Sequence, residues 1–186
     1  DMGGGLGITY NAETPPGPDE YARAIVETAK TRSLKLILEP GRVIVGNAGI
    51  LVTRVLYRKP GKDKEFVIAD AGMNDLLRPS LYKAFHAVKP VQQRAAGSIT
   101  ADLVGPICES GDFLASERVM ADVTTGDLLA VMSAGAYAYT MSSNYCSRLK
   151  VPEVMVKAGE FSVVRERQQY EDLIRGESIP PFLDAN

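Results

Sequence analysis

Five apolar segments of β character follow one another after Gly49 with no long helix between them, and that rhythm constrains the fold most. They are ILVTRVLYRK (Ile50 to Lys59), EFVIAD (Glu65 to Asp70), SITADLVGPIC (Ser98 to Cys108), DLLAVM (Asp127 to Met132) and PEVMVKAGEFSVV (Pro152 to Val164). Turns that hold proline or glycine, such as KPGKDKE and TTGD, separate them. The pattern predicts an antiparallel sandwich or a small barrel.

Upstream the rhythm differs. Pro18, Asp19 and Glu20 suit a first helical turn, where carboxylates face the positive end of the helix dipole. Tyr21, Ile25, Val26 and Ala29 then share a face, which predicts a helix from about Pro18 to Thr31. LKLILEP, Leu34 to Pro40, reads as a short buried parallel strand that stops at Glu39-Pro40. Loop, helix, strand and functional loop is the order of an α/β barrel or doubly wound sheet. A last amphipathic helix is expected over Glu166 to Arg175, with Gly176 just past its end. The expected organisation is therefore a remnant of an α/β barrel (the last βα units of a TIM-like barrel) over residues 1–46. An all-β sandwich or barrel domain with a C-terminal helix follows over 47–186.

Composition excludes some function classes. A net charge of −2 gives no electrostatic reason to expect nucleic acid or an anionic membrane as partner. No apolar run approaches the roughly 18 residues needed to span a bilayer. Two cysteines, Cys108 and Cys146, make no disulfide framework, so a reducing compartment, the cytoplasm, is expected.

Several short motifs carry candidate chemistry. GGGLG, Gly3 to Gly7, either brings backbone amides to a phosphate or forms a plain turn. EPGR, Glu39 to Arg42, offers an acid, free amides and a cation at one barrel mouth, or else a tight turn with a surface ion pair. In ICESGD, Cys108 stands beside carboxylates that favour its protonated form, which suits a proton donor better than a nucleophile. Cys146 has no such setting and reads as structural. In LLRPSLY, Arg78 and Tyr82 share a face if the segment is helical, to clamp an anion or simply to pack together. Tyr137, Tyr139 and Tyr145 read first as amphipathic packing. His86 is the single histidine, a surface or core residue, and no spacing predicts a metal site.

In this order, DMGGGLGI, EPGR, DAGMNDLLRPSLY, GPICESGD and AGAYAYTMSSNY resemble the diaminopimelate decarboxylases. These are pyridoxal-phosphate enzymes that join an alanine-racemase-like barrel to a C-terminal β domain, and the resemblance spans nearly the whole chain. It implies that the chain is the back part of a longer enzyme that converts meso-diaminopimelate to L-lysine. Gly3, Gly4, Gly5 and the turn Glu39-Pro40-Gly41-Arg42 would bind pyridoxal 5'-phosphate, with Glu39 on the ring nitrogen. Arg42 would hold phosphate and substrate, Arg78 and Tyr82 the far end of the substrate, and Tyr137 both cofactor and substrate. Cys108 would protonate the carbon that loses carbon dioxide, with Glu109 binding substrate beside it.

In this family the Cys-Glu segment reaches the neighbouring subunit's cofactor, which implies a homodimer with shared sites. The family's cofactor-bearing lysine and its ring-stacking histidine have no counterpart here, so the chain alone is expected to be inactive. Rival readings are a decarboxylase of ornithine, arginine or a carboxylated polyamine, and a non-catalytic regulatory homologue. Ornithine carries only an amine at its far end and would want an acid there, whereas Arg42 and Arg78 supply cations. A homologue without chemistry has no need of an intact CESGD or EPGR.

Overall fold

Leu51, Thr53 and Val55 are buried while Val52, Arg54 and Leu56 are exposed, the period-two pattern that makes Leu51–Pro60 a strand, β1. The protein is seen in a computed structural model that describes residues 1–62, 64–93 and 97–183. Its chain divides into two compact units, Asp1–Ser142 and Ser143–Asn186.

In the first unit β1 is joined by β2 (Glu65–Ala69), β3 (Val88–Pro90), β4 (Ser98–Val104), β5 (Phe113–Ala121) and β6 (Leu128–Val131). They form one sheet in the order β3-β6-β1-β2-β4-β5. Its two edges, β3 and β5, come against each other, so the sheet nearly closes into a barrel. Val55, Val67, Leu76, Leu103, Leu114 and Val131 fill its core with no exposed surface. The sheet is mixed, not the antiparallel one expected, because β2 pairs with β4 in parallel. A parallel pair needs a crossover, and here the crossover carries a short helix and β3.

The strands β3 and β5 are absent from the five segments read off the sequence. In β5 the alternation is broken by register shifts against β4, and Glu117 adopts a left-handed φ of 47°. Asp102, a buried residue of β4, accounts for the irregularity: its Oδ1 accepts the Glu117 backbone N–H at 2.6 Å. The KPGKDKE turn closes through Gly61 N–H to Lys64 O at 2.8 Å, and Asp63 within it lies outside the described residues.

The N-terminal third holds α1, Pro18–Thr31, with the bounds expected, proline in its first turn and Asp19 and Glu20 beside it. The run Leu34 to Pro40 corrects the expectation of a buried strand. It meets the glycine segment through only two backbone bonds, Met2 N–H to Ile37 O at 3.1 Å and Glu39 N–H to Gly3 O at 2.8 Å. Leu34 and Ile37 remain 62% and 49% exposed. An apolar run becomes a buried strand only where layers cover both of its faces, and among the described residues this one is covered only in part, at Leu36. After the EPGR turn comes the single helical turn α2, Arg42–Val45.

A backbone contact then locks two loops together. Gly135 packs so close to residue 45 that a Cβ on it would lie 1.8 Å from Val45 O. Its own N–H donates to Gly46 O at 3.1 Å, and Ala134 N–H to Gly49 O at 2.8 Å.

The second unit contains the hairpin β7 (Glu153–Lys157) and β8 (Glu160–Arg165), closed by Ala158 and Gly159 with φ of 49° and 89°. Two left-handed residues match the twist of a two-residue hairpin loop. The expected C-terminal helix over 166–175 shrinks to one turn, Tyr170–Leu173. Gln169 and Asp172 form a reciprocal capping box, so the helix starts at Gln169 and cannot reach back to Glu166. Among the described residues no helix is long and apolar enough to cross a membrane, and no cluster could hold a metal ion.

Candidate active site

The short helix of the β2–β4 crossover is α3, Arg78–Tyr82, with Pro79 in its first turn. Lys83 ends it in a left-handed conformation, φ 53°, and Ala84 N–H returns to Arg78 O at 3.3 Å. Arg78 and Tyr82 are thus helical, the condition under which they would share a face, but their settings differ. Arg78 is 7% exposed and Tyr82 62%.

The arginine packs on a tyrosine, though not on Tyr82. Its guanidinium carbon lies 4.6 Å from the centre of the Tyr10 ring. Its Nη1 donates to His86 Nε2 at 2.9 Å. His86 is fully buried, and its Nδ1–H donates to Met132 O at 2.8 Å. A carbonyl only accepts and a guanidinium only donates, so these two bonds require the neutral ring with its proton on Nδ1. Burial, helped by the charges of Arg78 and Arg118, holds His86 below the ordinary histidine value against the opposing pull of the Met132 bond.

Arg42, at the end of EPGR, stacks on Tyr137 at 5.4 Å and on Tyr10 at 5.8 Å from the ring centres. Tyr137 holds a left-handed φ of 65°, an uncommon state for a bulky residue and of the kind that concentrates at ligand sites. Arg42, Arg78, Tyr82, Tyr137 and Met141 together line a cleft of about 270 Å³. It holds two guanidinium groups and no carboxylate among its lining residues. Among the described residues neither arginine makes an ion pair.

The glycine segment lies against the EPGR turn. A Cβ on Gly4 would sit 2.7 Å from Glu39 O, so only glycine admits this approach. Gly3 and Gly5 hold left-handed φ of 64° and 97°, Gly3 N–H donates to the Asp1 carboxylate at 2.7 Å, and Tyr21 Oη donates to Gly4 O at 2.6 Å. Glu39, Pro40 and Gly41 are exposed.

Cys108 and Glu109 lie in the β4–β5 loop, both exposed, and do not line the cleft. Their loop is pinned by buried Asp112, whose Oδ1 accepts Met73 N–H and Oδ2 accepts Ile107 N–H, each at 2.6 Å. Ser80 of α3 donates to Gly111 O in the same loop. Sequence reasoning therefore found four of the five cleft residues. It missed Met141, the supporting Tyr10 and His86, and the role of Asp112. His86 carried one usable signal, its position a few residues beyond a helix that presents an arginine.

Residues 10–135 match the family described as the pyridoxal-dependent decarboxylases, C-terminal sheet domain, and the chain belongs to that family. It is 52% identical over 181 residues to the diaminopimelate decarboxylase of Pseudomonas aeruginosa, covering 97% of this chain and 43% of that one. It is 47% identical over 185 residues to the diaminopimelate decarboxylase of Aquifex aeolicus, covering 99% of this chain and again 43% of the relative. The crystal structure of the Helicobacter pylori diaminopimelate decarboxylase complexed with L-lysine superposes with a TM-score of 0.85 at 42% identity, over 93% of this chain and 43% of that one. The chain thus spans under half the length of the relatives it matches.

Pyridoxal phosphate, the group this family implies, brings a phosphate and a pyridine ring, and the residues fit both. The glycine segment and the EPGR turn meet through a close approach that a side chain on Gly4 would block. They present one acid, Glu39, and one cation, Arg42, three residues apart across one turn and the start of its helix.

Proposed function

We propose that this chain is the C-terminal part of a pyridoxal 5'-phosphate enzyme that decarboxylates meso-diaminopimelate to L-lysine. One observation carries the reading: two guanidiniums share a cleft that no carboxylate lines. Such a cleft favours a substrate whose far end bears an anion. Diaminopimelate has a carboxylate there, whereas the lone amine of ornithine would meet only like charge. The names of the relatives and the L-lysine bound to the Helicobacter pylori enzyme support the same choice.

In this reading residues 1–46 complete a barrel begun elsewhere in the enzyme, and residues 47–186 form its C-terminal domain. Backbone amides of Gly3, Gly4 and Gly5 face the cofactor's phosphate, Pro40 and Gly41 in the EPGR turn close its other side, and Glu39 bonds the protonated ring nitrogen. Arg42 and Tyr137 lie against cofactor and substrate, and Arg78 with Tyr82 grips the distal end. When bound, the cofactor supplies an electron-poor ring that takes up the pair left by departing carbon dioxide. Cys108 holds a proton on Sγ and delivers it to the carbon that has lost its carboxylate, and water restores the thiol. Glu109 binds substrate beside it. The enzyme is a cytoplasmic homodimer in which Cys108 and Glu109 serve the partner's site, a reading supported by their position outside the cleft.

Arg78→Ala in the full-length enzyme tests the substrate. A hydrogen bond to a charged group contributes roughly 1.5–3 kcal/mol, so kcat/KM for diaminopimelate should fall about 10- to 100-fold. L-lysine, which has lost the reacting carboxylate and keeps the distal one, should weaken in parallel as a competitive inhibitor, whereas cadaverine, which has neither, should lose little affinity. Equal losses for diaminopimelate and cadaverine refute the reading.

A further inference from the structure

Arg78 is a buried cation whose polar partner is a neutral ring. Among the described residues its contacts are the bond from Nη1 to His86 Nε2 and the face of Tyr10. A carboxylate in place of the imidazole would hold the guanidinium equally well but would cancel its charge. An imidazole that accepts one hydrogen bond fixes a corner of the guanidinium and leaves the charge whole.

His86 is itself held from several sides. Met132 O accepts the bond from its Nδ1–H, Tyr10 meets it edge-on with ring centres 5.2 Å apart, and Arg118 of β5 donates to its backbone oxygen at 2.8 Å. Arg118 also covers the neighbouring Phe85 ring at 3.7 Å. The ring has no exposed surface, so it cannot touch a ligand in the cleft, whereas Arg78 lines that cleft. So many restraints on a neutral acceptor exceed what filling the core requires.

We propose that His86 is a positioning residue that fixes the Arg78 guanidinium at the cleft wall while leaving its charge free for the substrate's distal carboxylate. The proposal rests on the reading of Arg78 as the distal clamp.

Two variants of the full-length enzyme separate this role from plain packing. In His86→Asn the side-chain amide can still donate to Met132 O but is too short to reach Arg78. In His86→Gln the longer amide presents an acceptor near the place of Nε2. His86→Asn should raise KM for diaminopimelate about tenfold with kcat within about threefold of wild type. His86→Gln should recover most of that loss. In the double variant with Arg78→Ala the asparagine should add nothing further, because its effect passes through the arginine.

A KM unchanged in His86→Asn, or a loss that adds fully to that of Arg78→Ala, overturns the proposal. If both histidine variants lose stability alike and neither moves KM, the residue is only a core element and the proposal again fails. A selective loss of diaminopimelate in Arg78→Ala beside an inert His86→Asn leaves the clamp standing and removes His86 alone. Equal loss of diaminopimelate and cadaverine binding in Arg78→Ala removes the clamp, and the proposal with it.

Discussion

Asp112→Asn should loosen the loop that carries Cys108 more than any other conservative change near the site. The two carboxylate oxygens of Asp112 accept backbone N–H groups from two different segments, Met73 and Ile107, each at 2.6 Å. The space they occupy is made by glycine: a Cβ on Gly72 would lie 2.7 Å from Oδ1, and one on Gly105 would lie 2.6 Å from Oδ2. Replacing one oxygen by an amide turns an acceptor toward a donor, whichever way the side chain is rotated. One charge-assisted bond, worth roughly 1.5–3 kcal/mol, is lost, and one buried N–H is left unpaired. Local opening should become easier by about 2–4 kcal/mol, a value in the upper range for a single substitution.

Hydrogen exchange reads this directly. In the full-length enzyme, the amides of Met73 and Ile107 should exchange about one and a half to three orders of magnitude faster in the variant. Strands β1 and β6 should keep their protection. Turnover should fall and KM should rise with it, because the loop bearing Cys108 and Glu109, the proposed proton donor and substrate contact, loses its anchor. Unchanged exchange at both amides, or an equal acceleration throughout the chain, refutes the reasoning.

Two further outcomes are expected. Cys108→Ala in the full-length enzyme should lower kcat roughly 10²–10⁴-fold with a small effect on KM. Mixing it with a variant of the cofactor-bearing lysine should restore activity in hybrid dimers, and no recovery in any mixture would sink the shared-site reading. The buried ring of His86 stays neutral below its ordinary value of 6.5, whereas the unfolded chain takes up a proton there. The unfolded state then binds more protons, so this contribution is whole above about pH 6.5 and is lost as the pH falls below it, at no more than about 1.4 kcal/mol per pH unit. Denaturation midpoints of wild type and His86→Gln across pH 5–7.5 should converge toward low pH, and parallel curves would exclude the effect.

The legible parts of the fold share one property: their signals are local. Pro18, Asp19 and Glu20 set the start of α1 within a single turn. The four-residue spacing of Arg78 and Tyr82 was open to a helix, and the structure has one there, α3. What could not be read depends on partners distant in sequence. The strand β5 exists because β4 pairs with it, and its Glu117 kink depends on Asp102, a residue of another strand. The parallel pairing of β2 and β4 leaves no mark in either segment. Leu34 to Pro40 has the composition of a buried strand, but composition does not supply the layers that bury it. His86 shows the same limit at the site. Its identity suggested only a core or surface residue, and its significance comes from Met132 and Arg78, which sit on different elements.

The two arginines of the cleft are held by different physics, and the difference bears on how the site can vary. Arg42 follows a turn whose path is fixed by backbone contacts, Gly4 on Glu39 and Gly135 on Val45. The second contact also sets the loop that presents Tyr137 in its left-handed conformation, against which Arg42 stacks. A side chain on either glycine would force the backbones apart, so this half of the cleft tolerates no gradual change. Arg78 is held instead by side chains, the ring of Tyr10 and the nitrogen of His86. Side chains can be exchanged one at a time without moving the sheet. A rigid half thus suits what every substrate of such a site shares, the reacting end, and an adjustable half suits what distinguishes one substrate from another. Selection for a different distal group would then act on Tyr10, Arg78 and His86 and leave the glycines untouched.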